Sequence, residues 1–162
     1  IITTGGASVG DHDYIAKDIS KSSNSEIYFW KIAMRPGKPL MFGHYKNIPF
    51  LGLPGNPVSA GVCSVLFLEP IIKKFLSQDP TLVFLSALST KNLPENDRRE
   101  EYLRAKLSID DVGNKQVTAA SKQDSSMMAT LASADCLIQR PANAPSIAAG
   151  VPVPILNFPD LF

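Results

Sequence analysis

The chain has 162 residues, of which 44% are hydrophobic, with 13 prolines, 10 glycines and a net charge of +1; this suits one medium domain or two small ones, each with a real core. Such a composition excludes a disordered tail and a membrane protein, and the balanced charge, free of like-charge blocks, gives no reason to expect a nucleic-acid or membrane partner. Any anion the protein binds must therefore be held locally.

The chain opens on Ile1-Ile2 without a methionine. That start predicts a strand end over residues 1–4 and a chain that is part of something longer. "TTGGASVGDHDY" follows at residues 3–14, with three glycines, a serine and two aspartates in a few positions. One glycine would suffice to reverse the chain, so the excess points to close approach of a ligand to the backbone. "DYIAKDISK" reads as a short helix and "SEIYFWKIAM" as an alternating strand. In that strand Tyr28, Trp30, Ile32 and Met34 would share one face, and Phe29, Lys31, Ala33 and Arg35 the other. "PLMFGH" and "IPFLGLP" read as two short strands joined by a turn at "YKN".

The clearest helix carries Val58, Val62, Val65, Leu66, Ile72, Phe75 and Leu76 at helical spacing. Asn56 suits its N-cap and Pro57 its first position, and Pro70 should kink or restart it. Its apolar face could serve core or interface, with core the simpler expectation. "SQDPT" at residues 77–81 reads as a linker. Beyond it "LVFLSAL", "EEYLRAKLSI", "KQVTAAS", "CLIQR" and "VPVPILN" read as strands, with a short helix or turn at "SMMATLASA". Pro152 and Pro154 alternate along the last strand and predict an edge position. Short strands at this spacing predict a small barrel or sandwich. Cys63 and Cys136, far apart and without C-x-x-C spacing, read as buried thiols in a reducing compartment.

Four groups could carry chemistry, and each also has a plain structural role. A strand, a glycine turn and a helix start present free N–H groups to an anion. Gly5, Gly6 and Gly10 would let the backbone approach and Ser8 would add a hydroxyl, although a tight turn needs no ligand. Asp11 and Asp13 could hold Mg²⁺ against phosphate oxygens, or cap the helix. Lys31 and Arg35, with Lys38 following in "RPGKP", suit an oxyanion or form a solvated strand face. "GLPGNP" at residues 52–57, containing Pro54, Gly55, Asn56 and Pro57, could form a pocket wall as well as a strand-to-helix connection.

In their order and separation, "GGASVGDHDY", "FWKIAMRPGKP" and "GLPGNPVSA" resemble the molybdopterin molybdenumtransferases, the MoeA and gephyrin E-domain family; "KQDSSMMATLASADCLI" resembles that family's barrel-domain motif. The resemblance implies a partial molybdopterin-binding, MogA-like three-layer α/β domain over residues 1–78 and a small all-β barrel domain over residues 79–162. It implies a cytoplasmic transferase of molybdenum cofactor biosynthesis. Molybdate is inserted into adenylated molybdopterin with Mg²⁺, releasing AMP, and the chain alone would be an inactive part. By position, Asp13 matches the acidic residue near metal and phosphate, with Asp11 beside it. Lys31 and Arg35 match the two basic residues, Pro54 and Pro57 the two prolines of the pterin site, and Ser125 the barrel serine. Arg35 stands where lysine is also common, Asp124 and Ser126 replace glycines beside the serine, and Asp135 stands where asparagine is common. The family also implies a homodimer that meets a molybdopterin adenylyltransferase and a recipient molybdoenzyme. Two other functions fit parts of the pattern: the adenylyltransferase itself, which resembles only the α/β module, and a gephyrin-like dimerising scaffold.

Overall fold

In the computed structural model, which describes residues 1–5, 14–124 and 126–158, the chain divides into two units, Ile1–Gln78 and Asp79–Phe162. The first contains β1 (Ile2–Thr4), α1 (Tyr14–Lys21), β2 (Glu26–Trp30), the two-residue β3 (Met34–Arg35), β4 (Met41–Tyr45), β5 (Ile48–Leu53), α2 (Pro57–Cys63) and α3 (Glu69–Phe75). Its four-stranded sheet has the order β1-β5-β4-β2, with β1 parallel to β5 and the other neighbours antiparallel. Lys46 and Asn47, both at positive φ, make the two-residue hairpin between β4 and β5, whose twist matches that of the strands.

Helices cover both faces of this sheet. Met41 and Phe50 pack on Ile19 of α1, with Ile15, Ile27 and Trp30 around them. Successive strand residues point to opposite faces. Phe42, in register with Leu51, which is itself in register with Ile2, therefore lies on the other face. There these residues line a groove with Leu68, Ile71, Ile72 and Phe75.

The helix after β5 starts as expected: Asn56 accepts the Ser59 N–H at 3.0 Å and Pro57 occupies the first turn. Pro70 makes its mark just upstream, where Ser64–Leu68 form a π turn and the Glu69 N–H reaches back to the Ser64 carbonyl. That wider turn joins α2 to α3 around a residue with no N–H to give. The apolar stripe divides at this point. Val58, Val62, Val65 and Leu66 are buried, whereas Ile72, Phe75 and Leu76 remain 45–69% exposed.

The long strand expected over residues 25–35 is corrected. The β2–β4 register shifts between Ile27 and Phe29, a bulge that sends Tyr28 against Phe42 and His44 while Trp30 packs toward α1. Tyr28 and Trp30 thus lie on opposite faces, because one extra residue resets the period of two. Pairing with β4 ends at Trp30, and Lys31 at φ +69 turns the chain away. Lys31 and Arg35 accordingly do not share a strand face.

The second unit contains β6 (Leu85–Ser89), β7 (Glu100–Ile109), β8 (Lys115–Ala119), α4 (Met128–Ala132), β9 (Cys136–Arg140) and β10 (Pro152–Asn157). The strands run β7-β8-β6-β10-β9, and β9 pairs back to β7, so five strands close into a barrel. Alternate residues fill its interior, among them Ala87, Leu103, Ala105, Val117, Cys136, Ile138, Val153 and Ile155. β10 is not an edge strand. It pairs with β6 over Pro152–Ile155 and with β9 over Ile155–Asn157. The Val151 carbonyl accepts from Ser89 on the β6 side, so alternation turns Pro152 and Pro154 toward the flank where β9 pairing has ended. No ladder bond is lost there.

Arg140, 2% exposed, is satisfied by the Pro94 and Pro145 carbonyls at 2.8 and 2.6 Å. Asn96 donates to the carbonyls of Arg99, Arg140 and Pro141. These two side chains tie the proline-rich loops to β9, and nothing in the pattern of apolar residues announces them.

Two stability predictions follow from particular bonds. Asn56→Ala removes the cap of α2 and is expected to cost about 1 kcal/mol in urea denaturation. The Asp135 carboxyl is held below the usual aspartate range, first by the Leu107 N–H at 2.9 Å and then by Lys106 at 3.1 Å. Its contribution is complete above the unfolded value of about 3.9 and disappears as pH falls through the lower folded value. The Lys106 part is small, since both partners are well exposed. Asp135→Asn should therefore flatten the loss of stability below about pH 4, measured as denaturation midpoints across acid pH.

Candidate functional site

The parallel pair β1 and β5 places Gly5 and Gly55 side by side. The Gly5 N–H, just past β1, donates to the Leu53 carbonyl at the end of β5 at 3.1 Å. Gly5 has φ +82, and a Cβ on Gly55 would stand 3.3 Å from the Gly5 Cα. The two backbones are in contact, a Cβ on Gly55 would be tight against Gly5, and the left-handed φ of Gly5 is one that glycine adopts without strain.

The antiparallel neighbours deliver the cationic segment to the same end. β4 begins beside the end of β5, with Met41 opposite Gly52, and β2 ends there, with Trp30 opposite Met41. Residues 31–40 thus leave and re-enter the sheet at the carboxyl ends of β1 and β5. In α/β folds ligands bind at that end of parallel strands. The segment is closed by Lys31 N–H to the Leu40 carbonyl and Ile32 N–H to the Lys38 carbonyl, both 2.9 Å. Gly37 pins it to α2. At φ +119, a Cβ there would meet the Met34 Cε at 2.3 Å and the Cys63 Sγ at 2.6 Å. The Cys63 thiol sits 4.0 Å from the Gly37 carbonyl, and burial pushes its pKa up to about 12. It packs as a small apolar residue rather than reacting. Cys136 is likewise pushed up to about 12, by burial first and Asp135 second.

Within this segment Lys31 and Lys38 are exposed and Arg35 is half-buried. The Lys31 Nζ lies 4.5 Å from the Trp30 ring centroid, a cation–π contact that parks the ammonium beside the sheet end. Lys31 holds a left-handed backbone, a conformation that costs energy in a residue other than glycine. Pro54 is buried, Gly55 and Pro57 are exposed, and Asn56 spends its side-chain oxygen on Ser59 as a cap.

Gly5, Lys31, Lys38, Pro54, Gly55, Asn56 and Pro57 therefore lie at or beside one end of one sheet, whereas Arg35 lies in β3, midway along the segment that leaves it. Gly6, Ser8, Gly10, Asp11, Asp13 and Ser125 lie outside the described residues. Among the described residues no group of three or more His, Cys, Asp or Glu could hold a metal ion. No helix among them is long and apolar enough to cross a membrane. Two residues of the site, Trp30 and Gly37, lie inside the "FWKIAMRPGKP" motif, but the sequence assigned neither a role of its own; Trp30 under the Lys31 ammonium and Cys63 behind Gly37 emerge only in the fold.

Comparison with known proteins matches this division of the chain. Residues 1–74 match the family described as "Probable molybdopterin binding domain", and residues 86–158 match "MoeA C-terminal region (domain IV)". A molybdopterin molybdenumtransferase of Haemophilus influenzae is 34% identical over 99% of this chain and 40% of its own length. The molybdenum cofactor synthesis protein cinnamon of Drosophila melanogaster is 35% identical over 98% of this chain and 27% of its own. The crystal structure of a molybdopterin biosynthesis MoeA protein from Pyrococcus horikosii superposes with a TM-score of 0.76 at 25% identity, covering 98% of this chain and 37% of that one. The chain thus spans about two fifths or less of the length of these relatives. Similar to them from end to end and matched by both domain families in the same order, the chain belongs to the MoeA family of molybdopterin molybdenumtransferases.

Proposed function

We propose that this chain supplies the substrate-binding sheet end of a molybdenum insertase, which transfers molybdate into adenylated molybdopterin and releases AMP. The observation that supports it is the contact of Gly5 with Gly55 beside the start of α2 at the carboxyl end of β1 and β5, where the segment carrying Lys31, Arg35 and Lys38 leaves and re-enters the sheet. Molybdate and a phosphoanhydride are both anions. Two unit charges about 4 Å apart repel by about 4 kcal/mol at an effective dielectric of about 20, so cations placed between them lower the barrier directly. Lys31 and Arg35 take that role, Arg35 as a planar fork and Lys31 as a point charge, with Lys38 beside them. Backbone amides of the Gly5, Gly6 and Gly10 turn, with the Ser8 hydroxyl, hold the phosphate. Pro57, with Gly55 and Asn56, presents the stiff wall to the pterin, and Pro54, buried behind them, fixes the turn rather than facing a ligand. Ser125 is carried over from the family's barrel-domain motif as a further substrate-binding residue.

Asp13, with Asp11, would hold Mg²⁺, the carboxylate oxygens being the donors a hard cation selects. When bound, the ion would neutralise phosphate oxygens. Everything else the protein does is positioning and charge neutralisation, without a protein nucleophile. The protein acts in the cytoplasm as a homodimer, taking substrate from an adenylyltransferase and passing product to a molybdoenzyme. The match of residues 86–158 to domain IV favours the insertase over the adenylyltransferase.

The test is AMP release from adenylated molybdopterin and Mg²⁺ by the full-length gene product, with and without molybdate. Asp13→Asn is expected to abolish molybdate-dependent release. Lys31→Ala and Arg35→Ala should each lower kcat/KM by about 10²-fold, whereas Arg35→Lys keeps the charge and should stay within about tenfold. Absence of release from folded protein overturns the proposal. Binding can be read separately through Trp30, the single tryptophan of this chain. Molybdate or AMP should change the fluorescence difference between wild type and Trp30→Phe, saturably, and Lys31→Ala should remove that response.

A further inference from the structure

The contact between Trp30 and Lys31 is not one that neighbours within a strand can make. Consecutive side chains of an extended chain point to opposite faces, so a lysine directly after a tryptophan ordinarily stands across the sheet from it. Lys31 departs from this by leaving the strand at φ +69. Its side chain returns over the residue before it, and the Nζ lies 4.5 Å from the Trp30 ring centroid. Lys46 repeats the geometry on the Tyr45 ring, at φ +49 and 5.3 Å. There a two-residue hairpin demands the positive φ, whereas Lys31 precedes β4 by ten residues and has no such turn to make.

The ring and the backbone beneath the ammonium are held separately. Trp30 is half-buried, stands in register with Met41 of β4 and packs on the cluster of Met41, Phe50 and Ile19. The Lys31 N–H is bonded to the carbonyl of the fully buried Leu40 at 2.9 Å. Neither part has to move for the charge to be in place. An exposed lysine otherwise spreads its charge over many rotamers of a flexible four-carbon stem, and a cation gathered only at the moment of reaction stabilises a transition state less than one already placed. A fixed aromatic face narrows that spread, and it attracts the ammonium without neutralising it as a carboxylate would.

We propose that Trp30 is a positioning residue for Lys31, holding its ammonium at the sheet end where the two anions meet. The inference rests on the insertase function proposed above, in which Lys31 lies between molybdate and phosphate. Trp30 acts only through Lys31.

The test uses the full-length gene product with Trp30→Leu, which keeps an apolar side chain without a ring, and Trp30→Phe, which keeps a ring. In AMP release, Trp30→Leu should lower kcat/KM about fivefold in the wild-type background and cause no further loss in the Lys31→Ala background. Trp30→Phe should lose less than Trp30→Leu. Equal losses from Trp30→Leu in both backgrounds overturn the proposal, because Trp30 would then act through the core alone. A loss in Trp30→Phe as large as in Trp30→Leu, or full activity of Lys31→Ala, overturns it as well. A second readout needs no activity: the emission of Trp30, taken as the difference between each form and its Trp30→Phe counterpart, should shift in Lys31→Met, which keeps the stem and removes the charge. An unshifted spectrum overturns the proposal. If no form of the protein releases AMP, the insertase function fails, and the spectrum alone decides whether Trp30 seats Lys31.

Discussion

Parallel pairing of β1 with β5 is the constraint on which the site depends. Parallel strands end at the same edge of a sheet, so the turn after each emerges beside the other. Here the pairing runs to the last residue, Thr4 opposite Leu53, and the next backbone group, the Gly5 N–H, is still bonded to Leu53. Gly5 and Gly55 therefore leave the sheet in contact, so close that a Cβ on Gly55 would be tight. Because β4 runs against β5 and β2 against β4, the cationic segment 31–40 has no choice of edge.

Rigidity at this edge comes from packing as much as from hydrogen bonds. Gly37 fits against Cys63 and Met34 without space for another carbon. The segment that carries Lys31, Arg35 and Lys38 is thereby locked to the helix whose first turn lies beside the glycines. Charges that must stabilise a transition state are most effective when they cost no reorganisation at the moment of reaction. A lysine held at positive φ beside a tryptophan ring is consistent with such a design.

The barrel solves a different problem. Closure through β9–β7 removes the open edges of a five-stranded sheet, and the price is a set of long loops with polar groups near the core. Arg140, Asn96 and Gln123 answer it by donating to, or copying, main-chain groups where strands have ended. These side chains resemble ordinary surface residues in the sequence, and only their partners reveal their role.

Local features were legible from residues alone wherever the deciding contacts are close in the chain. The Asn56 cap, Pro57 in the first turn, the break at Pro70 and the strands at residues 100–109 and 136–140 all follow from spacing, β-propensity and the chemistry of neighbours. The four motif segments were likewise visible, and their order pointed to the MoeA family. Tertiary structure decided what depends on distant partners. The bulge at Tyr28 and the turn at Lys31 separate two cations that strict alternation would have aligned, because pairing with β4 sets the register. Pro154 is tolerated in the wall of a closed barrel, since β9 joins β10 only beyond it. The sequence by itself picked out the segments whose residue types suit an anion, a property of residue type and short spacing. Only the tertiary structure decided that Gly5, Gly55, Lys31 and Lys38 lie at or beside one end of a sheet, because that depends on strand direction, which no local pattern encodes.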